Sequence, residues 1–276
     1  MEQDEKLPSY EKPPLIEVAL SVQFDPITAL SVPYLGLLWN EYKDRFPKHK
    51  TLPAIEPVFE RFGIHIKNET SEFRIVSGEP PIRLWFIDEK ENELIQVQRD
   101  RFIRNWRKVD SGDVYPRYDL VIKDSFSEDL KKFINFLKDN NLETPSFNQC
   151  EVTYVNEISR EDIWDNHSEL HKVFVGWSDS FVKQALLETE EINFSIKQLI
   201  KDNKNNNIGR LYINLDSVYK KESKEPVYAL KLVARGKPLE DDIKSVMEFL
   251  DIGRMSIVKA FDSFPTKEFQ NKWGKE

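Results

Sequence analysis

Apolar residues recur at every second position in several stretches of the chain. In residues 15–24, Val18, Leu20, Val22 and Phe24 share one side, and this period of two predicts a strand with one buried face. The charged residues between 82–87 and 94–107 predict a hairpin turn. Altogether, such patterns predict further strands at residues 58–66, 72–76, 82–87, 94–107, 150–158, 191–200, 208–219 and 226–235.

Other segments have apolar residues at helical spacing. Ser31 caps the first predicted helix and Pro47 ends it. A second helix is predicted to begin at Ser125, because Ser125 and Glu128 have the spacing of a capping box. The apolar stripe of the first helix is Leu35, Leu38, Tyr42 and Phe46. Further helices are predicted at residues 160–187, 240–264 and 267–273.

The order of predicted elements repeats along the chain. After a flexible lead at residues 1–14, residues 15–147 and 148–276 each read as strand, helix, antiparallel strands and helix. Residues 17–24 align with residues 151–158 in the same apolar phase. We therefore predict an α+β fold of two similar halves, with a TATA-binding-protein-like or helix-grip-like topology. The repeat indicates a duplication, although strands of one-sided sheets also resemble one another by chance.

Charge and composition narrow the classes of function. The 276 residues include 40 Lys and Arg against 48 Asp and Glu, which gives a formal net charge of −8. This balance opposes DNA binding over the whole surface, because phosphate affinity comes from clustered cations. A single cysteine excludes an internal disulfide and predicts a reducing compartment. No apolar run approaches the ~18 residues that a membrane span needs, so we expect a soluble, cytoplasmic protein without a membrane partner.

Several short motifs resemble those of a known family. They are Pro13-Pro14-Leu15-Ile16-Glu17-Val18-Ala19-Leu20-Ser21-Val22-Gln23-Phe24, Tyr115-Pro116-Arg117-Tyr118, Tyr154-Val155-Asn156-Glu157-Ile158, and the tail from Ala260-Phe261-Asp262 to Trp273-Gly274. Over the whole chain the sequence resembles a sporadically distributed bacterial family that has no assigned biochemical activity. The patchy distribution implies horizontal transfer, as in antiphage defence or toxin–antitoxin operons. The resemblance carries over no catalytic residue.

The most basic stretch, residues 99–108, mixes five cations with two aromatic side chains. This composition is typical of surfaces that bind single-stranded nucleic acid. A protein-contact surface, and a solvated cationic face paired with the acidic hairpin turn, are the alternatives. A shift in apolar phase places the two rings opposite Ile95 and Val97 unless a β-bulge intervenes. The candidate binding residues are Arg99, Arg101, Phe102, Arg104, Trp106 and Arg107.

Two polar residues fall on predicted apolar faces. A buried Asn156 needs hydrogen-bond partners, so it either sets strand register or lines a ligand cavity between the sheet and the last helix. Arg254 lies on the apolar stripe of that helix, where it either snorkels, pairs with a buried carboxylate, or binds an anionic ligand. A cavity would also contain Tyr154. Gly253 would move Arg254 off the stripe if the helix ended or kinked there.

Classical catalytic patterns do not emerge from the sequence. His167 and His171 have the spacing of a metal-binding pair, but the glutamate that metalloproteases place after the first histidine is absent. The alternative is two surface histidines. Cys150 is expected to be a small buried apolar group rather than a nucleophile. Nucleotide-binding loops and nuclease signatures are missing, so we predict no catalytic residue, metal or cofactor.

Three functional hypotheses follow from these patterns. The first is a non-catalytic protein-interaction module, an accessory or antitoxin-like component of a bacterial defence or toxin–antitoxin operon, whose partner is a protein encoded nearby. The second is a nucleic-acid-binding accessory factor that uses residues 99–108. The third is a small-ligand binder or enzyme with a cavity around Tyr154, Asn156 and Arg254.

Overall fold

A nine-stranded antiparallel sheet organises the described part of the chain, which comprises residues 7–63, 81–160, 163–178, 189–220 and 223–276 of the computed structural model. The strand order is β2-β3-β4-β5-β1-β6-β9-β8-β7, which confirms the predicted α+β class. The strands are β1 (Leu15–Phe24), β2 (Lys48–Pro53), β3 (Ile82–Ile87), β4 (Glu93–Gln98), β5 (Arg101–Arg107), β6 (Phe147–Ile158), β7 (Asn193–Lys201), β8 (Asn207–Tyr219) and β9 (Pro226–Gly236).

Helices cover one side of this sheet, which we call the helix face. On it, Tyr42 stacks on Phe86 of β3, and Phe133 stacks on Phe102 of β5. The described helices are α1 (Val32–Tyr42), α2 (Lys123–Asp139), the short α3 (Leu170–Val173), α4 (Ile243–Ser263) and α5 (Lys267–Lys272). A π-helical turn, Tyr118–Ile122, precedes α2, and a 3-10 turn, His167–Glu169, precedes α3.

The last long helix, α4, lies close to strands β6 and β9. Gly253 allows this approach, because a Cβ there would lie 3.1 Å from Cγ2 of Val152 and 3.2 Å from Cβ of Ala234. The helix continues through Gly253 to Ser263, so Gly253 neither ends it nor displaces Arg254. No described helix is long and apolar enough to cross a membrane.

Strand β1 confirms the alternation that the sequence predicts. Val18, Leu20 and Val22 are completely buried on the helix face, and Phe24 joins them. The strand pairs with β5 on one side and with β6 on the other, so it lies in the interior of the sheet. Apolar burial along a central strand contributes roughly 1.5–3 kcal/mol for each fully buried large side chain.

Residues 94–107 form two strands rather than the predicted single strand. A tight turn at Arg99 and Asp100 joins β4 to β5, and Val97 pairs with Phe102 across it. The shift in apolar alternation along residues 94–107 is therefore explained by a hairpin, not by a β-bulge. Because Val97 and Phe102 are paired across the hairpin, their side chains lie on the same face of the sheet. The sequence concealed the turn because neither glycine nor proline marks it.

Other predicted elements also differ from the structure. Lys48–Pro53 form β2, which the sequence pattern did not predict, and residues 58–63 contain no strand. The predicted strands at 64–66 and 72–76 lie outside the described residues. Helix α2 begins two residues before Ser125 and has no side-chain cap, because the π-helical turn continues directly into it.

The predicted helix at 160–187 is mostly absent from the residues that can be described. Only Leu170–Val173 is α-helical there, whereas residues 161–162 and 179–188 lie outside the described residues.

Near the N-terminus, residues 7–14 do not form the flexible lead that the sequence predicts, because they are bonded to the C-terminal residues. The amides of Glu11 and Lys12 donate to the carbonyls of Gly274 and Trp273, and Tyr10 is buried between Phe261 and Trp273.

Candidate ligand cavity

A cavity of about 500 Å³ lies between strand β6, helix α4, the segment before α2 and the N-terminal residues. This volume falls within the range of about 300–1,000 Å³ that is typical of small-molecule sites. Five aromatic residues contribute to its wall: Tyr10, Tyr115, Tyr118, Tyr154 and Phe261. Tyr154, Asn156 and Arg254, which the sequence grouped around a cavity, all line it.

Arg254 supplies a partly unpaired cation to this wall. Its Nη2 lies 2.9 Å from Oδ2 of Asp119, while its Nε is buried and has no hydrogen-bond partner. The guanidinium carbon is 5.5 Å from the ring centroid of Tyr118, a cation–π distance. Because a buried donor without a partner is costly, a ligand that accepts a hydrogen bond from Nε would be stabilised here.

Arg117 provides the second cation and has an unusual backbone. Its φ of 67° and ψ of 139° lie in a region that non-glycine residues rarely adopt, so the site stores strain. Its guanidinium carbon lies 5.9 Å from the ring centroid of Tyr115, and Nη1 is 3.5 Å from Oγ of Ser9. Directly after Arg117 comes the π-helical turn, a rare element that often occurs at functional sites.

Two tyrosine hydroxyls meet at the cavity wall. The hydroxyl oxygens of Tyr115 and Tyr154 are 2.9 Å apart and form a hydrogen bond. Burial is the main cause that raises the pKa of both hydroxyls above the ordinary tyrosine value. Both groups therefore stay protonated at neutral pH. Neutral phenols beside arginines create an environment that accepts an anion.

Asn156 combines the two roles that the sequence left open. It is 3% exposed, and its Nδ2 donates to the carbonyl of Leu230 on the neighbouring β9 at 3.2 Å. The side chain therefore links two strands, and it also lines the cavity. A buried amide that is held in one orientation can present its remaining polar atoms to a ligand.

The basic stretch at residues 99–108 does not form one site. Phe102 is fully buried and packs on Phe126 and Phe133, and Trp106 is 5% exposed and packs on Tyr115. These rings are not available to stack on nucleic-acid bases. This corrects the expectation that places them opposite the apolar face.

The arginines of this stretch are dispersed over both sides of the sheet. Arg104 is buried on the helix face, with its Nε 2.8 Å from Oδ2 of Asp129 and its Nη2 2.6 Å from Oε2 of Glu93. The other three arginines each have a different partner. The exposed Arg99 donates to the carbonyl of Leu30, and the buried Arg101 donates to the side chain of Gln23. Arg107 donates to the carbonyl of Glu91. The pairing of Arg104 with Glu93 agrees with the predicted contact to the acidic hairpin turn.

The two histidines and the cysteine take no part in the cavity. His167 is 2% exposed and lies among the rings of Trp164, Tyr219 and Tyr228, so it is not the surface histidine that the sequence allowed. Within the described ranges, no group of three or more His, Cys, Asp or Glu side chains is placed to hold a metal. Cys150 is completely buried, and burial raises the pKa of its thiol.

Sequence reasoning did not single out Tyr115, Arg117 and Tyr118 as site residues. The available signal was the motif Tyr115-Pro116-Arg117-Tyr118, which the resemblance contains but to which it assigns no role. Comparisons of the chain with protein-family models, with curated proteins and with solved structures gave no match. The class that fold and site define is thus an α+β protein with an aromatic, arginine-containing cavity beside its central strands.

Proposed function

We propose that the protein binds a small organic anion that carries an aromatic ring, in the cavity beside Arg254. The observation that carries this proposal is the buried, unpartnered Nε of Arg254 in a cavity of about 500 Å³ lined by tyrosines. The guanidinium group is planar and suits two-point hydrogen bonding to a carboxylate or phosphate. The aromatic residues of the wall, Tyr10, Tyr115, Tyr118, Tyr154 and Phe261, suit the aromatic part of the ligand.

The pair between Arg254 and Asp119 is compatible with exchange for a ligand. The Asp119 side chain is 62% exposed, whereas that of Arg254 is 20% exposed. Water screens the Asp119 side of the pair, so an entering anion displaces an interaction that is weaker than a fully buried ion pair. Arg117 adds a second positive charge at the same wall, which also contains the acidic residues Asp119 and Glu276. A ligand carboxylate or phosphate therefore gains from the two arginines by taking the place of the exposed Asp119 side chain.

Thermal unfolding with a defined panel of anions tests this function. The panel contains adenosine, guanosine and uridine monophosphates and hydroxybenzoates, each at saturating concentration. A ligand at 100 times its Kd stabilises by about 2.7 kcal/mol, which raises the Tm of a chain of this size by about 5 °C or more. We expect at least one compound to do so, and the shift to disappear in Arg254→Gln.

The matched control is Arg160→Gln, because Arg160 is a surface arginine that pairs with Asp165 outside the cavity. This variant should keep the full ligand-induced shift. The proposal fails if no compound stabilises the wild-type protein, or if Arg254→Gln retains the shift. Calorimetry on the best compound then measures Kd directly.

The interaction-module hypothesis is kept as a separate proposal. It places the protein with a partner encoded nearby in a defence or toxin–antitoxin operon. The formal net charge of −8 supports it, since an acidic surface complements a basic partner. The nucleic-acid hypothesis loses its support, because Phe102 and Trp106 are buried.

The strand order supports the proposal that the chain consists of two related halves. The first strand of each half, β1 and β6, lies at the centre of the sheet, and the last strand of each half, β5 and β9, lies beside it. In both halves the remaining strands follow in reverse order towards the edge. We take this arrangement as support for the proposed duplicated, TATA-binding-protein-like topology. It does not by itself imply a function.

A further inference from the structure

Residues 54–63, which we call the crossing segment, run across the side of the sheet that has no helices. Hydrogen bonds and ion pairs connect the segment to β4, β5, β1, β6, β9 and β8, which are consecutive neighbours in the sheet. We call this side the glutamine face, because Gln98 on β4, Gln23 on β1 and Gln149 on β6 hold the segment. It is opposite the helix face, so it is separate from the ligand cavity.

The three glutamines bind the backbone of the crossing segment. Gln98 makes two hydrogen bonds to Ile55, accepting from its amide at 2.9 Å and donating to its carbonyl at 2.8 Å. Further contacts run from the amide of Val58 to Oε1 of Gln23 at 3.0 Å and from the amide of Glu60 to Oε1 of Gln149 at 3.3 Å. These bonds depend on an extended backbone and not on the identity of the side chains.

The glutamine face holds the side chain of Glu60 by charge. Its side chain is 2% exposed, and Oε1 accepts from the hydroxyl of Tyr212 at 2.7 Å. Arg210 pairs with Oε2, and Nη1 of Arg235 lies 3.5 Å from Oε1. The face thus contains a built carboxylate site at the end of a row of backbone contacts.

Three large apolar side chains of the crossing segment remain partly exposed rather than buried. Val58, Phe59 and Phe62 are 38%, 50% and 37% exposed. A segment that served only to cover the sheet would be expected to bury such side chains. Backbone hydrogen bonds and the acidic anchor Glu60 hold the segment, and the guanidinium carbon of Arg210 lies 5.6 Å from the ring centroid of Phe62. Backbone contacts combined with a charged anchor are a pattern of peptide recognition on a preformed surface.

We propose that the glutamine face is a peptide-binding surface that residues 54–63 fill in cis, and that an extended partner peptide with an acidic residue at the position of Glu60 takes it in trans. The crossing segment competes as a tethered ligand, and tethering raises its effective concentration to the millimolar range. A partner peptide therefore binds when the segment is released. This occupant is a protein segment, which the backbone contacts favour over a nucleic acid.

The experiment uses an opened variant of the full chain, in which residues 54–62 are replaced by glycine and serine at equal length. The probe is a fluorescent synthetic peptide with the sequence of residues 53–63. Anisotropy should show saturable binding to the opened variant with a Kd of about 100 µM or lower, and at least about tenfold weaker binding to the wild-type protein. Circular dichroism verifies that the opened variant is folded.

Two altered peptides distinguish specific binding to the glutamine face from non-specific peptide binding. Glu60→Gln in the peptide should weaken binding at least about tenfold, because it removes a charge-assisted hydrogen bond. Phe59→Ala is the matched control and should leave Kd within about twofold, since Phe59 is half exposed in the structure. Equal loss with both peptides would overturn the acidic anchor.

A second variant keeps the test decisive if the opened variant does not fold. Glu60→Gln in the full chain loosens the crossing segment without shortening it, and we expect it to bind the wild-type peptide at least about tenfold more tightly than the unmodified protein does. The proposal is overturned if neither folded variant binds the peptide. It is also overturned if single-stranded DNA binds the opened variant and the peptide does not.

Discussion

The two faces of the same sheet are buried by different chemistry. On the helix face, side chains such as Leu20 and Phe102 pack against apolar residues of the helices. On the glutamine face, buried positions are largely polar, and hydrogen bonds replace apolar packing. The buried polar residues there are Ser21, Gln23, Gln96, Gln98, Arg101, Asn105, Gln149 and Thr153.

The helix face stabilises the fold by apolar packing, whereas the glutamine face makes directional contacts of the kind that recognise a ligand. Apolar contacts are non-directional, so the helix face accepts any well-packed partner of suitable shape. Buried polar groups need partners in defined directions, so the glutamine face specifies an extended backbone and a carboxylate. The contrast begins within single strands, since Val22 and Gln23 are adjacent in β1 and point to opposite faces.

The largest effect is expected from Phe102→Ala on the helix face. The substitution removes a fully buried ring that stacks on Phe133, and such changes cost about 3–5 kcal/mol in the free energy of unfolding. Urea unfolding followed by circular dichroism measures it. The matched control is Phe59→Ala on the crossing segment, which should cost less than about 1 kcal/mol because the ring is half exposed. Equal costs would abolish the contrast between the faces.

A somewhat smaller loss is expected from Asp129→Ala, which removes one partner of the buried Arg104. Such a loss costs about 3–5 kcal/mol, and we expect about 3 kcal/mol because Glu93 still pairs with Arg104 at 2.6 Å. Asp165→Ala breaks an exposed pair with Arg160 and should change the free energy of unfolding by less than about 1 kcal/mol. A neutral result for Asp129→Ala would show that Glu93 alone is enough to compensate the buried charge of Arg104.

On the glutamine face, Gln98→Ala should cost about 2 kcal/mol, since two hydrogen bonds to Ile55 are worth about 0.5–1.5 kcal/mol each. Hydrogen exchange at the Ile55 amide should accelerate, while exchange in β1 should not. Gln198→Ala, at an exposed position of the edge strand β7, is the control and should have no measurable effect. Unchanged hydrogen exchange at the Ile55 amide would contradict the conclusion that Gln98 binds the backbone of the crossing segment.

The smallest expected effect is on the reactivity of the Cys150 thiol, which measures how well water is excluded from the helix face. Burial raises its pKa above the ordinary thiol value, so less thiolate is present at about pH 8 than in an unfolded chain. Ellman's reagent should therefore not react with the folded protein over minutes, and should titrate one thiol per chain once urea unfolds it. Rapid reaction in the folded state would show that water reaches this face.

Prediction from the sequence succeeded where one local pattern determined one element. The alternation in β1 and the apolar stripe of α4 placed both elements close to their observed bounds. It failed at the turn between β4 and β5, where both flanking strands are buried and no glycine or proline marks the reversal. It also failed for Ser125, because the capping-box spacing falls inside a helix that a π-helical turn extends backwards.

The candidate site was predicted in part. Tyr154, Asn156 and Arg254 were grouped because polar residues interrupt apolar periodicities, and these residues do line one cavity. Arg117 was missed, because its positive φ and its approach to Tyr115 are not visible in the sequence. The basic stretch was over-interpreted for a related reason: composition does not show which side of a strand faces solvent.

The sequence by itself determined the α+β class, the central strand β1, and the polar residues that interrupt apolar faces, because these follow from local periodicity. Only the tertiary structure decided which strands become neighbours, how Arg117 and Arg254 come to line one cavity, and that residues 54–63 cross the glutamine face. Those outcomes depend on contacts between residues far apart in the chain. Their free energy comes from burial and partner geometry, which no short window of sequence contains.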